Sequence, residues 1–381
     1  MGLMLVILWL LLKLPLKKVY NLHMFIGYAP LSFILSILFC VGLMYLDKKA
    51  AIAGDINVRE SAQTLHKKSI SRFGGVAIYL STIFTTYLFG FEWNSNAFLI
   101  LVLCLPAFLV GFIDDLKFNL DPRLRIVLLL PVPILFFYFL DIRVTDLDLG
   151  YFDDFLEIEF LALCFLCFAV VGMMNAFNLI DGINGQLSSY LVSIIVALKV
   201  IENISGADLP LSDDFRYFTN ILLGALAGFF LLNLFGKIFL GDAGAYFLGS
   251  VVCFGLIEAQ QSNDLSPWAV MLILAYPFTD LIFSVVRRRF ITGGNAMQPD
   301  AEHLHHVIYM RFETLKFRHD RARHFLTIVF LTIFNFPYIA SAVYFSDNTA
   351  ALVSIFIVYV LSYLLIYFSL SPRFLLSDDK K

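Results

Sequence analysis

Five short stretches of this 381-residue chain carry side chains able to do chemistry on an anion. In "DDLKFNLDPRLR", Asp114 and Asp115 are adjacent carboxylates. Carboxylates this close titrate together and serve as a base or around a divalent cation; the plain alternative is a solvated loop start. Arg123 and Arg125 of the same stretch offset them or hold phosphate through fixed bidentate donors. "NAFNLIDGINGQ" spaces Asn175, Asn178 and Asp181 three apart, which spreads them over a helical face of roughly 120°. Asn184 follows, and Gly182 and Gly185 permit a turn or a close backbone approach. Hydrogen bonding between membrane helices is the competing reading of these amides. "GKIFLGDAG" sets Asp242 among small residues at a helix start, as an N-cap or as a hard-cation ligand beside a bound phosphate. "HLHH" supplies His303, His305 and His306; imidazoles there suit phosphate or sugar better than zinc, because the Asp and Asn sites ask for a hard ion. "HKKSISRFGG" adds Arg72.

The elements that must position these residues are membrane helices. The chain is 60% hydrophobic and 15% charged, against about 45–50% and about 25% in soluble domains. With roughly 20 apolar residues needed per crossing, candidate spans fall near 28–46, 74–91, 97–113, 126–140, 159–174, 187–201, 217–235, 244–259, 267–286, 324–345 and 350–370. The expected fold is therefore all-α and integral to the membrane, a polytopic bundle of about eleven helices over residues 26–371. Residues 1–25 read as an apolar leader or interfacial segment and 372–381 as a tail. The five Cys all sit in apolar runs, including the pair Cys164 and Cys167, and imply packing rather than a disulfide framework. Loops after odd-numbered spans are basic and those after even-numbered spans acidic or short, which places the odd loops in the cytoplasm. All five polar stretches follow odd-numbered spans, so they converge on one cytoplasmic-face active site.

Taken in order, H-x5-R-x-GG, DD followed by PR-x-R, N-x2-N-x-IDGING, GDAG-x3-LG and H-x-HH resemble the polyprenyl-phosphate N-acetylhexosamine-1-phosphate transferases of glycosyltransferase family 4, over roughly residues 30–325. The resemblance implies ten or eleven spans around a cytoplasmic cleft. It implies transfer of a UDP-activated N-acetylhexosamine 1-phosphate to undecaprenyl phosphate, with UMP released, at the bacterial inner membrane. It implies Mg²⁺, with Mn²⁺ as the alternative ion. Asn178 and Asp242 match the family's magnesium positions, and Asp114 and Asp115 its catalytic carboxylate pair. Asn175, Asp181 and Asn184 match positions near the nucleotide or diphosphate, and the remaining substrate contacts fall to Arg72, Arg123, Arg125, His303, His305 and His306. Leu304 interrupts the histidines as in the branch using UDP-GlcNAc-like donors, rather than the three consecutive His of the phospho-N-acetylmuramoyl-pentapeptide branch. Val307, Arg125 and Gln186 depart from the residues usual at their positions, where Arg, Lys and Leu are common.

Two other classes compete. A transporter also carries intramembrane polar groups, but near the midplane and with an internal repeat that this chain lacks. A CDP-alcohol phosphotransferase would show a widely spaced DG…AR…G…D…D run, which is absent. Nothing in the composition points to nucleic acid; the expected partners are the UDP-sugar, the lipid phosphate, the membrane and a second copy in a homodimer.

Overall fold

The computed structural model describes residues 19–50, 70–89, 95–118, 120–204, 213–262, 265–291, 302–315 and 319–371. The leader up to residue 18, His66, Arg318 and the tail over 372–381 lie outside the described residues. Within them the regular structure is helical throughout. The helices are α1 (Val19–Ala50), α2 (Gly74–Leu88), α3 (Asn96–Leu103), α4 (Leu105–Ile113), α5 (Pro122–Leu129), α6 (Pro131–Leu140), α7 (Tyr151–Leu156), α8 (Glu159–Ile180), α9 (Gln186–Ile204), α10 (Asp213–Leu234), α11 (Gly241–Ser262), α12 (Pro267–Ile273), α13 (Ala275–Val286), α14 (Leu304–Thr314), α15 (Asp320–Tyr344) and α16 (Thr349–Leu370). A π turn over Asp114–Phe118 continues α4.

Among the described residues eight segments are long and apolar enough to cross a bilayer, including the joined α3–α4 and α5–α6 runs. The chain is an integral membrane protein; among the described residues eight helices, or nine with the α12–α13 pair, meet the length and hydropathy of a crossing, which does not confirm the expected count of about eleven. That pair, read from sequence as one span over 267–286, bends by 75°. Proline explains the break. Pro277 has no N–H to give the Ile273 carbonyl one turn back, and the Tyr190 hydroxyl donates to that carbonyl instead, at 2.6 Å. The windows read as spans over 74–91 and 187–201 hold α2 and α9, which are apolar but short.

Burial sorts the helices. Of the apolar window of α11, 89% is buried, against 17% for α1. Helix α11 is apolar or small on every side, so it belongs inside the bundle, while α1 keeps most of its surface for lipid. Helix α1 lies close along α10 because Gly224 and Gly228 leave room: a Cβ at either would strike the backbone of Ala29 or Phe33. Small residues four apart permit this approach of membrane helices.

Chain direction brings the polar segments to one end. The run α3–α4 and helix α8 finish there; α5, α11 and α15 begin there. The opposite end holds the ordered acidic loop over 141–158, tied down where Ser266 and Thr349 donate to Asp148 and Trp268 donates to the Leu147 carbonyl.

Candidate active site

The site is built on the N-terminus of α11. Asp115 is buried, and its two oxygens accept the N–H groups of Asp242 and Ala243, each at 3.0 Å. It thus satisfies two of the orphan donors of that helix from across the chain. Gly241 turns the backbone at φ 77°, and a Cβ there would strike Asp115 and the Arg72 carbonyl. The pieces close tightly at glycines: a Cβ on Gly111 would collide with the Asp242–Ala243 backbone, and one on Gly75 with Gly244. Two short extended stretches lace the same corner. Phe239 N–H bonds Ser71 O at 2.8 Å, Gly74 N–H bonds Phe239 O at 2.9 Å and Gly75 N–H bonds Leu240 O at 2.7 Å.

Asp242 so held faces a mixed field. Arg125 links three partners: Asp114 at 2.6 Å, Asp242 at 3.5 Å and the Tyr246 hydroxyl at 3.1 Å. The same hydroxyl accepts from Asn178 Nδ2 at 2.9 Å, which joins α8 to α11. Asp114 also accepts the Leu120 N–H at 2.9 Å. Arg72 stands 3.9 Å from Asp115, its side chain 39% exposed, and feels Asp242, Asp181 and Asp114 as well. Burial pushes the Asp181 carboxyl well above the usual carboxylate range; Asp242 adds to the shift and Arg72 opposes it.

Four carboxylates (Asp114, Asp115, Asp181, Asp242) thus share this corner with two guanidinium groups (Arg72, Arg125), an excess of two negative charges when all are ionised. A divalent cation would neutralise it. Among the described residues no three His, Cys, Asp or Glu side chains form a cage for a metal by themselves. That suits Mg²⁺, which takes one or two carboxylates and keeps water and substrate phosphate oxygens as its other ligands. Asp242 and Asn178, with its Nδ2 given to Tyr246 and its Oδ1 not needed for that bond, fit such a partial set.

The histidines lie beside this cluster, not in it. His303 Nδ1 is 2.7 Å from Asp280, whose carboxylate also accepts the Leu304 N–H at 3.1 Å and the Tyr363 hydroxyl at 2.7 Å. His305 Nδ1 is 3.3 Å from the Tyr276 hydroxyl. His305 and His306 pack beneath Gly182, where a Cβ would strike the first and come within 2.8 Å of the second. Burial and then His306 hold the His305 ring well below its ordinary pKa, against Asp280. The turn after α8 is held from its far side too: Asn233 Oδ1 accepts the Gly185 N–H at 2.5 Å, and Asn233 Nδ2 donates to Ile238 O at 2.7 Å. Asn184 donates its N–H to His324 Nδ1 at 3.4 Å.

Comparison with known proteins agrees with the geometry. Residues 97–260 match the model of glycosyl transferase family 4. That region holds Asp114, Asp115, Arg125, Asn178, Asp181 and Asp242.

The chain is similar to glycosyl transferase family 4 over residues 97–260.

Among similar proteins, a Bacillus subtilis (strain 168) protein named probable undecaprenyl-phosphate N-acetylglucosaminyl 1-phosphate transferase is 26% identical, over 87% of this chain and 88% of its own. An Escherichia coli (strain K12) undecaprenyl-phosphate alpha-N-acetylglucosaminyl 1-phosphate transferase is 27% identical over 72% and 74%. The Thermotoga maritima protein of that name is 29% identical over 65% and 71%.

Of the residues singled out from sequence, the chain gathers Arg72, Asp114, Asp115, Arg125, Asn178, Asp181 and Asp242 around one corner. Arg123 is exposed, its own N–H given to Asp121. Asn175 turns its amide back to the Val171 carbonyl at 2.8 Å. His303 and His305 are buried. Sequence reasoning missed Tyr246, one helical turn after Asp242 and on its face, and Asp280. The signal for Asp280 was present: a lone carboxylate inside the apolar run "YPFTDLIF".

Proposed function

We propose that the chain transfers an N-acetylhexosamine 1-phosphate from a UDP-sugar to undecaprenyl phosphate and releases UMP, at the cytoplasmic face of the bacterial inner membrane. The observation that carries this reading is the corner itself: Asp242 held at a helix start by Asp115, with Asn178, Asp114 and Arg125 around it, at one end of the bundle. The relatives' names supply the substrates. Basic residues Lys48, Lys49, Arg72, Arg125 and Arg287 to Arg289 sit toward that end, and the acidic loop over 141–158 toward the other, which favours a cytoplasmic site.

In the transfer, an oxygen of the lipid phosphate bonds to the sugar-bearing phosphorus. The bond from that phosphorus to the bridging oxygen breaks, and UMP leaves with the oxygen and its electron pair. Positioning and charge neutralisation dominate such a step. Arg72, the exposed cation at the mouth, receives an incoming phosphate. Arg125, paired with both Asp114 and Asp242, offsets the repulsion between the two carboxylates. Asp242 and Asn178 would hold Mg²⁺, which neutralises the diphosphate and the leaving group when bound. Asp115 has both oxygens given to backbone N–H groups; this supports a one-step displacement with Asp115 as a positioning group.

Membranes containing the chain are expected to release UMP from UDP-GlcNAc, or a close relative such as UDP-GalNAc, only with undecaprenyl phosphate and Mg²⁺ both present. Equal turnover of UDP-MurNAc-pentapeptide would move the chain to the muramoyl branch. Absence of UMP release with every UDP-sugar would sink the transferase reading and revive the transporter.

A further inference from the structure

Three buried side chains line up behind "HLHH", ending at its third residue: Gln186, Tyr276 and His305. Gln186 Nε2 donates to the Tyr276 hydroxyl at 2.8 Å, and that oxygen lies 3.3 Å from His305 Nδ1. A phenol carries one proton. Having accepted from Gln186, Tyr276 has its proton free for His305 Nδ1. A ring nitrogen that accepts cannot also carry the proton of a neutral imidazole, so the proton sits on Nε2. Among the described residues His305 Nε2 has no hydrogen-bond partner, and it faces Gly182, the residue after Asp181.

Turning the Gln186 amide over would reverse the chain. It would then leave both N–H donors of the Gln186 amide orphaned, where the observed orientation leaves one N–H and the oxygen, and orphaned donors are the rarer of the two kinds. A cavity of about 20 Å³ lined by Gln186, Ser189, Tyr276 and Asn335 has room for one water to serve that oxygen.

We propose that Gln186 and Tyr276 are positioning residues that hold His305 as its Nε2–H tautomer, with that donor aimed past Gly182 at an oxygen of the bound substrate. The proposal rests on the transferase reading for the identity of that oxygen.

The test uses the full chain in lipid nanodiscs, labelled with ¹⁵N-histidine, with His305→Gln marking the His305 signals. In the wild-type protein Nε2 is expected to carry the proton and Nδ1 to be bare. Tyr276→Phe and Gln186→Leu are expected to mix the two tautomers. In UMP-release assays Tyr276→Phe, which removes one oxygen and keeps the ring, should lower kcat about tenfold with little change in KM, the pattern of a contact realised in the transition state. A proton on Nδ1 in the wild-type protein overturns the proposal. So does a Tyr276→Phe variant with the wild-type tautomer, whatever its kcat, since its effect would then be structural. Failure of the wild-type chain to release UMP removes the transferase reading instead, and the tautomer measurement stands apart from it.

Discussion

The carboxylate corner and the histidine segment meet at Gly182, yet they are built on opposite terms. Around Asp242 the contacts are charged, unequal in number and partly open: Arg72 is 39% exposed, and Arg125 reaches Asp242 at only 3.5 Å. Around His305 everything is buried, and hydrogen bonds to Asp280 and with Tyr276 fix two of the three rings. On the proposed reading, in which the site takes a nucleotide diphosphate, it needs both. Loose excess charge lets a cation and an anion enter together, while a rigid neutral wall orients what has entered without competing for it.

The largest effect is expected where charge is least replaceable. Asp242→Ala should reduce UMP release by about 10³-fold or more, roughly 4 kcal/mol of barrier, while the protein still inserts and melts as a folded species. Retention of more than about a tenth of the activity would show that the corner works through its field as a whole and not through Asp242 as a ligand.

Next comes the contact between the two regions. Gly182→Ala puts a methyl group into His305 and His306, and the buried segment has nowhere to go. Activity should fall about 10- to 100-fold, a size reached when reacting groups are misplaced by about 1 Å. An active Gly182→Ala enzyme would mean that the histidine wall yields, and the contrast between a loose corner and a rigid wall would be lost.

Within the corner, Asp114 and Asp115 separate by partner. Asp115→Ala uncaps α11 and should lower thermal stability by about 1–2 kcal/mol, the range for lost helix caps, in addition to slowing transfer. Asp114→Ala frees Arg125 and should slow transfer with a smaller stability loss, since Leu120 N–H and the guanidinium both reach water more easily. Equal melting of the two variants would show that Asp115 does not support the helix start.

Much of this contrast was legible in the sequence, and its limits have physical causes. Asp242, Asn178 and the Asp114–Asp115 pair could be placed together because each ends or begins an apolar run, and alternation of the runs sends them to one end. The histidines' burial was not legible. "HLHH" in a basic loop gives no sign that Asp280, Tyr276 and Tyr363, from two other helices, will enclose it. The span count of about eleven is not confirmed for a related reason: a hydropathy window does not register that α2 and α9 are apolar but short.

The smallest effect separates the regions by pH. In the folded protein the His305 pKa lies well below its ordinary value, so below about pH 6.5 the unfolded chain binds a proton there that the folded one does not. This contribution to stability is complete above about pH 6.5 and is lost as pH falls below it. Asp181 acts in the other direction. Its folded pKa is raised, so the folded state keeps a proton that the unfolded chain releases above about pH 3.9, and the penalty for its burial fades as pH drops. Wild-type melting alone mixes the two. The difference between His305→Gln and wild type isolates the ring: it should be flat above about pH 6.5 and shift in favour of the variant below it, by at most about 1.4 kcal/mol per pH unit. A difference that stays flat down to about pH 5 would mean that the folded ring takes up its proton as readily as the unfolded one, and that water reaches the histidine wall as it reaches the mouth at Arg72.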